Sequence, residues 1–138
     1  MNSMKLIGKY KKLNDIKSPY LPVFKLKILE EELKEDLYLI DTGCEYDIAI
    51  SEIFISEETK EKLESSGKGR WEFNPDGKPD RMLTIGAMTL SKDYSKEVFI
   101  CIWYHSRLIK GEKIIGINII NDFITKLDPF NNHINLIR

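Results

Sequence analysis

The residues best placed for chemistry are Leu39-Ile40-Asp41-Thr42-Gly43. An aspartate that ends an apolar run is unusual for structure alone, because a charged group is costly to bury unless paired or hydrogen-bonded. Glycine at 43 lets the backbone turn sharply and approach a substrate or partner closely. The Thr42 hydroxyl can lock that turn. The chemistry on offer is that of a carboxylate, which takes up and releases protons. The plain structural alternative is an Asx turn closing a strand.

Other combinations offer less. Cys44 or Cys101 with His105 or His133 would make a nucleophile and base only if folding brought them together, and nothing in their spacing does so. Two cysteines make neither a disulfide framework nor a zinc site, and two histidines without spaced carboxylates make no metal-ligand set. Both cysteines fit free thiols, buried or partly buried, in a reducing cytoplasm. Gly67-Lys68-Gly69-Arg70 beside Trp71 reads as a solvated loop, with too little charge for a nucleic-acid contact.

The elements that must position Asp41 read as mainly β. The first nineteen residues form an N-terminal arm or edge strand, lysine-rich and poor in apolar positions after Ile7. From residue 20 to 138 the pattern is that of one domain. Phe24, Leu26 and Ile28 alternate with lysines, the period of a strand buried on one face. Residues 30–36 read as a turn, and Leu37–Ile40 as a short buried strand running into Asp41. Residues 47–50, 82–90 and 97–105 are further strands, the last rich in β-branched and aromatic residues. Ser56 caps a helix over 56–64 with acidic residues in its first turn. Asn74-Pro75-Asp76-Gly77 is a strong turn signal. After a turn at 110–113, residues 117–123 suit a short helix, and 126–137 a closing hairpin around Asn131-Asn132.

Composition bounds the reading. At 138 residues the chain is sized for one domain. Its 21 Lys+Arg and 22 Asp+Glu give a net charge of −1, with no electrostatic footprint for nucleic acid or an anionic membrane. The longest apolar runs fall far short of the ~20 residues of a membrane span, and no apolar stretch of signal-peptide length opens the chain.

Downstream, Ile114-Ile115-Gly116-Ile117-Asn118-Ile119-Ile120 precedes Phe123, Asp128 and Ile134-Asn135-Leu136-Ile137. Two apolar residues, a glycine, a short apolar helix and a two-strand ending resemble the C-terminal half of retroviral-type aspartic proteases. The Asp-Thr-Gly triplet after two apolar residues resembles their active-site loop. From Tyr20 to Ile137 the sequence thus resembles a retropepsin-like, single-domain aspartic protease of a prokaryotic branch.

The resemblance implies a closed, barrel-like acid-protease fold with one or two short helices, and an endopeptidase needing neither metal nor cofactor. Asp41 would be the catalytic aspartate. Thr42 would lock two active-site loops together across a dimer, and Gly43 would shape the loop and contact substrate. Gly116 would lie behind the loop, where a side chain would collide with it, and Asn118 would open a buttressing helix. A flap over bound peptide is expected at 71–81, with Asn74, Pro75, Asp76 and Gly77 at its tip. Two features depart from the family pattern: cysteine at 44, and a proline-stiffened tip in place of a glycine-rich one.

In this family a pair of facing carboxylates shares one proton and activates water, so activity is bell-shaped in pH and favours mild acidity. The chain carries a single Asp-Thr-Gly triplet. The second carboxylate must come from a second copy, which implies a C2 homodimer acting on a peptide or protein substrate. The alternative is a catalytically inactive dimerisation or peptide-binding module of the same fold.

Overall fold

The computed structural model describes residues 5–104, 113–128 and 130–138. In chain order its elements are β1 (Lys5–Leu13), β2 (Ile16–Val23), β3 (Lys25–Ile28), β4 (Glu31–Leu33), β5 (Asp36–Asp41) and β6 (Ile48–Ser51). A 3-10 turn (Glu52–Phe54) and helix α1 (Glu57–Ser65) follow. Then come β7 (Arg70–Phe73), β8 (Pro79–Ser91), β9 (Tyr94–Trp103), β10 (Ile114–Gly116), helix α2 (Ile117–Ile120), β11 (Ile124–Asp128) and β12 (His133–Ile137). The chain is mainly β with few helices. The expected strand end at His105, and residues 110–112 of the expected turn, lie outside the described residues.

The strands form one sheet in the order β11-β12-β1-β2-β5-β10-β6-β9-β8-β3-β4, with β7 paired to β8 beside this path. It is not the closed barrel expected: β11 and β4 end the path without pairing to each other. β4 is three residues long, and four of the five β11 residues are exposed, so each remains an edge.

The N-terminal segment also differs from expectation. β1 is an interior strand, antiparallel to β12 on one side and β2 on the other. Leu6 and Gly8 turn inward while Lys5, Ile7 and Lys9 turn outward. A Cβ at Gly8 would overlap the Tyr20 carbonyl oxygen, so glycine is what lets β1 and β2 approach here. Asn14 and Asp15 both take positive φ, as a two-residue hairpin turn requires. β2 runs without a break through residues 19 and 20.

The principal core collects Leu21, Leu26, Ile28, Tyr38, Ile48, Ile50, Met88, Ile100, Ile102 and Ile115 among others. Burying each aliphatic side chain of this size is worth roughly 1.5–3 kcal/mol. Phe24 does not join it: the strand breaks into β2 and β3 at that residue, which turns outward with 53% exposure. Residues 30–36 hold more than a turn, because β4 folds back on β3. Helix α1 is capped by Ser56, whose hydroxyl oxygen accepts from the Thr59 N–H at 3.1 Å and donates to Glu31 at 2.8 Å. Among the described residues no helix is long and apolar enough to cross a membrane.

Candidate active site

Strand β5 delivers Asp41. Along it Tyr38 and Ile40 pack toward the principal core, while Leu39 packs on a second apolar cluster of Tyr46, Ala49, Leu83, Cys101 and Ile114. Alternation puts Asp41 on the Leu39 side, so the strand hands its carboxylate to the second cluster rather than the core. A turn follows at once. The Asp41 carbonyl accepts from the Cys44 N–H at 3.1 Å, and Asp41 Oδ1 accepts from the Gly43 N–H at 2.9 Å. A Cβ at Gly43 would sit 3.3 Å from Oδ1, so glycine gives the carboxylate room to close on the turn.

The support under the turn comes from 75 residues downstream. β10 lies between β5 and β6, parallel to the first and antiparallel to the second. Successive strands β5 and β6 are thereby wedged apart, and the 42–47 loop bridges the end of β10. Gly116 stands in register with Asp41. Its N–H donates to the Asp47 carbonyl at 2.9 Å, and the Ile117 N–H reaches the Cys44 carbonyl at 3.4 Å. A Cβ at Gly116 would overlap the Tyr46 carbonyl oxygen and come within 2.9 Å of that of Cys44. Asn118, in α2, makes a long 3.5 Å contact from its side-chain amide to the Glu45 carbonyl. Gly116 and Asn118 are therefore brought to the underside of the Asp41 loop.

Thr42 is exposed beside Asp41, and its hydroxyl has no hydrogen-bond partner among the described residues. Asp41 opens into a cleft of about 340 Å³ floored by Ala49 and Ile114 and flanked by Tyr46, Arg81 and Trp103. Arg81 ends the stretch expected as a flap but is not one of its tip residues, and its place in the cleft depends on the pairing of β8 with β7 and β9.

The expected flap residues form the β7–β8 hairpin. The Gly77 N–H donates to the Asn74 carbonyl at 2.9 Å, the Lys78 N–H to Asp76 Oδ1 at 2.9 Å, and Gly77 takes φ +83°. None of Asn74, Pro75, Asp76 and Gly77 lines the Asp41 cleft; Arg81, on the hairpin's second arm, does.

The thiols lie close by but are not activated. Burial raises both, Cys101 to about 12, and Cys44 is raised further by the nearby Asp41 carboxylate. A thiolate, not a thiol, is the nucleophile. His133 is exposed at the start of β12, away from the cleft lining, and His105 lies outside the described residues. Among the described residues no three His, Cys, Asp or Glu side chains gather where a metal ion would be held.

Several other aspartates are committed elsewhere. Asp36 pairs with Lys113 at 2.7 Å, Asp47 accepts from the Phe99 N–H at 2.8 Å, and Asp122 accepts from the Tyr94 hydroxyl at 2.7 Å. Asp128 accepts from the Asn131 side chain at 2.8 Å. No protein-family model matches the chain, and no curated protein matches it in sequence.

Proposed function

We propose that the chain is one protomer of a homodimeric, retropepsin-like aspartic endopeptidase whose two Asp41 carboxylates, one per subunit, activate water against a peptide bond. The observation that carries this reading is the mounting of Asp41. Its carboxylate is oriented by the Gly43 N–H, in a loop seated so tightly on β10 that Gly116 has no room for a side chain. Charge held at a cleft mouth by a rigid, specific mount suits a group that must keep its place while exchanging protons. Thr42 is exposed beside Asp41, with no hydrogen-bond partner for its hydroxyl among the described residues, which leaves it accessible to a twin loop.

In this reading the two Asp41 carboxylates face each other and share one proton, since like charges in contact repel. The ionised member takes a proton from water as the oxygen attacks the peptide carbonyl. The protonated member donates to the carbonyl oxygen. Collapse of the gem-diol intermediate breaks the C–N bond, and the proton taken from water passes to the leaving nitrogen. The member that donated to the carbonyl oxygen takes a proton back from a diol hydroxyl, which leaves a carboxylic acid product and restores the shared proton.

Asp41→Asn tests the reading. Asparagine keeps an Oδ1 acceptor for Gly43, so the fold and the dimer persist, while peptide cleavage falls about a hundredfold or more. Undiminished cleavage by this variant overturns the peptidase reading. A strict monomer in sedimentation that remains fully active overturns the shared site. Peptide binding without turnover in the unmutated chain would identify a binding module instead.

A further inference from the structure

Arg81 stands at the centre of a cross-strand row. Its register partners are Glu72 on β7 and Trp103 on β9, so the three side chains share one face of the sheet. That face looks into the Asp41 cleft, which Arg81 and Trp103 both line. The guanidinium lies 5.3 Å from the Trp103 ring centre and 5.6 Å from that of Tyr46, which holds its planar donor array in place. Its ion pair is weak in geometry: Nη2 meets Glu72 at 3.3 Å, and Glu72 also pairs with Arg70 at 3.4 Å. Charge-assisted contacts of good geometry are nearer 2.8 Å. The Nε–H is buried and has no hydrogen-bond partner among the described residues.

We propose that Arg81 is a specificity determinant that selects peptides presenting a carboxylate to the Asp41 cleft. The inference rests on the reading of that cleft as a peptide site. A guanidinium that lines the cleft beside the apolar Ala49 and Ile114, held only by a long contact to Glu72, favours a planar, bidentate anion, which a carboxylate is. Glu72 occupies the donors loosely and gives way to a better-placed group. Asp41 repels an anion brought close to it, so the selected group flanks the cleaved bond. Glu45, also at the cleft, is exposed, and solvent screens it.

Matched peptides test the proposal. Amidated peptides carrying one glutamate, the same peptides with glutamine, and neutral peptides with a free C-terminus separate an acidic side chain from a terminal carboxylate. The unmutated chain should favour one carboxylate form over its neutral counterpart by about tenfold in kcat/KM. Arg81→Gln should bring that ratio to about one, and Glu72→Gln, which removes the competing anion, should raise it. A packing role alone would slow all peptides equally and leave the ratio unchanged. That result, or equal use of both forms by the unmutated chain, overturns the proposal. Binding of the same labelled peptides to the Asp41→Asn chain, read by anisotropy, tests selection without turnover. Carboxylate preference there without cleavage by the unmutated chain would retain Arg81's role and reject the peptidase. Equal binding of acidic and neutral forms would reject Arg81's role.

Discussion

Gly116 stands opposite Asp41 across the parallel β5–β10 pair, and its missing side chain is what lets the Cys44 and Tyr46 carbonyls close over that strand end. Gly116→Ala should therefore unseat the loop. The obstructing atoms are backbone oxygens, which cannot swing aside as a side-chain tip would. We expect a cost of about 3 kcal/mol and a fall in Tm of roughly 10 °C. Gly43→Ala, whose Cβ at 3.3 Å would crowd Asp41 Oδ1, an atom at the end of a side chain that shifts by a few tenths of an ångström, should cost less, about 1 kcal/mol. Thermal unfolding of the two variants compares them directly, and equal losses would show that the β10 contact does not seat the loop.

This relationship also shows what was legible in the sequence. The strand into Asp41, the Ser56 cap and the Asn74–Gly77 turn are local signals, each written in a few adjacent residues. The meeting of Gly116 with Asp41 is a long-range contact, and only the resemblance of the two motifs to a known family anticipated it. β1 was obscured because its inward alternation passes through Gly8, which has no apolar side chain to count. The place of Arg81 in the Asp41 cleft was hidden for a different reason. Its importance comes from neighbours on two other strands, and periodicity along β8 carries no information about them.

The thiols should report their burial. Cys101 is fully enclosed in the second apolar cluster, with its thiol pushed up to about 12, and burial also raises Cys44. In native protein at neutral pH a disulfide reagent should leave Cys101 unmodified and react with Cys44 more slowly than with a free thiol, while in urea both should react. Timed labelling followed by mass spectrometry distinguishes them. Rapid native modification of Cys101 would contradict the packing of β9 beneath the cleft.

Acid should loosen the far end of the sheet through Asp122. The Tyr94 hydroxyl, then Lys96, hold its carboxyl below the ordinary aspartate value of 3.8. Above 3.8 both folded and unfolded states are ionised and the contribution to stability is complete. As pH falls below 3.8 toward the lower folded value, the unfolded chain takes up the proton first and that contribution is lost. Asp122→Asn should lower stability at neutral pH by about 1 kcal/mol, discounted for a partly exposed pair. It should also flatten the acid limb of a urea-midpoint-versus-pH curve. An unchanged limb would mean that Asp122 does not contribute to acid unfolding.

Mixing two versions of the chain tests the sharing of one site by two copies. The single Asp-Thr-Gly triplet supplies one carboxylate per chain, and Asp36, Asp47, Asp122 and Asp128 are each bonded elsewhere. If each active site draws Asp41 from two subunits, only dimers with two unmutated chains cleave. Equal amounts of unmutated and Asp41→Asn chains, exchanged to equilibrium at fixed total concentration, should then retain about a quarter of the activity. A site complete within one chain would retain about half. Exposed Thr42 bears on the same question, since the proposed dimer would replace water at its hydroxyl with the twin loop. Thr42→Val should weaken the dimer by about tenfold in Kd, the worth of one or two buried hydrogen bonds. Sedimentation over a concentration series measures that shift. Activity falling in step with dimer content would tie turnover to the paired loops, whereas full activity in monomeric Thr42→Val protein would separate them.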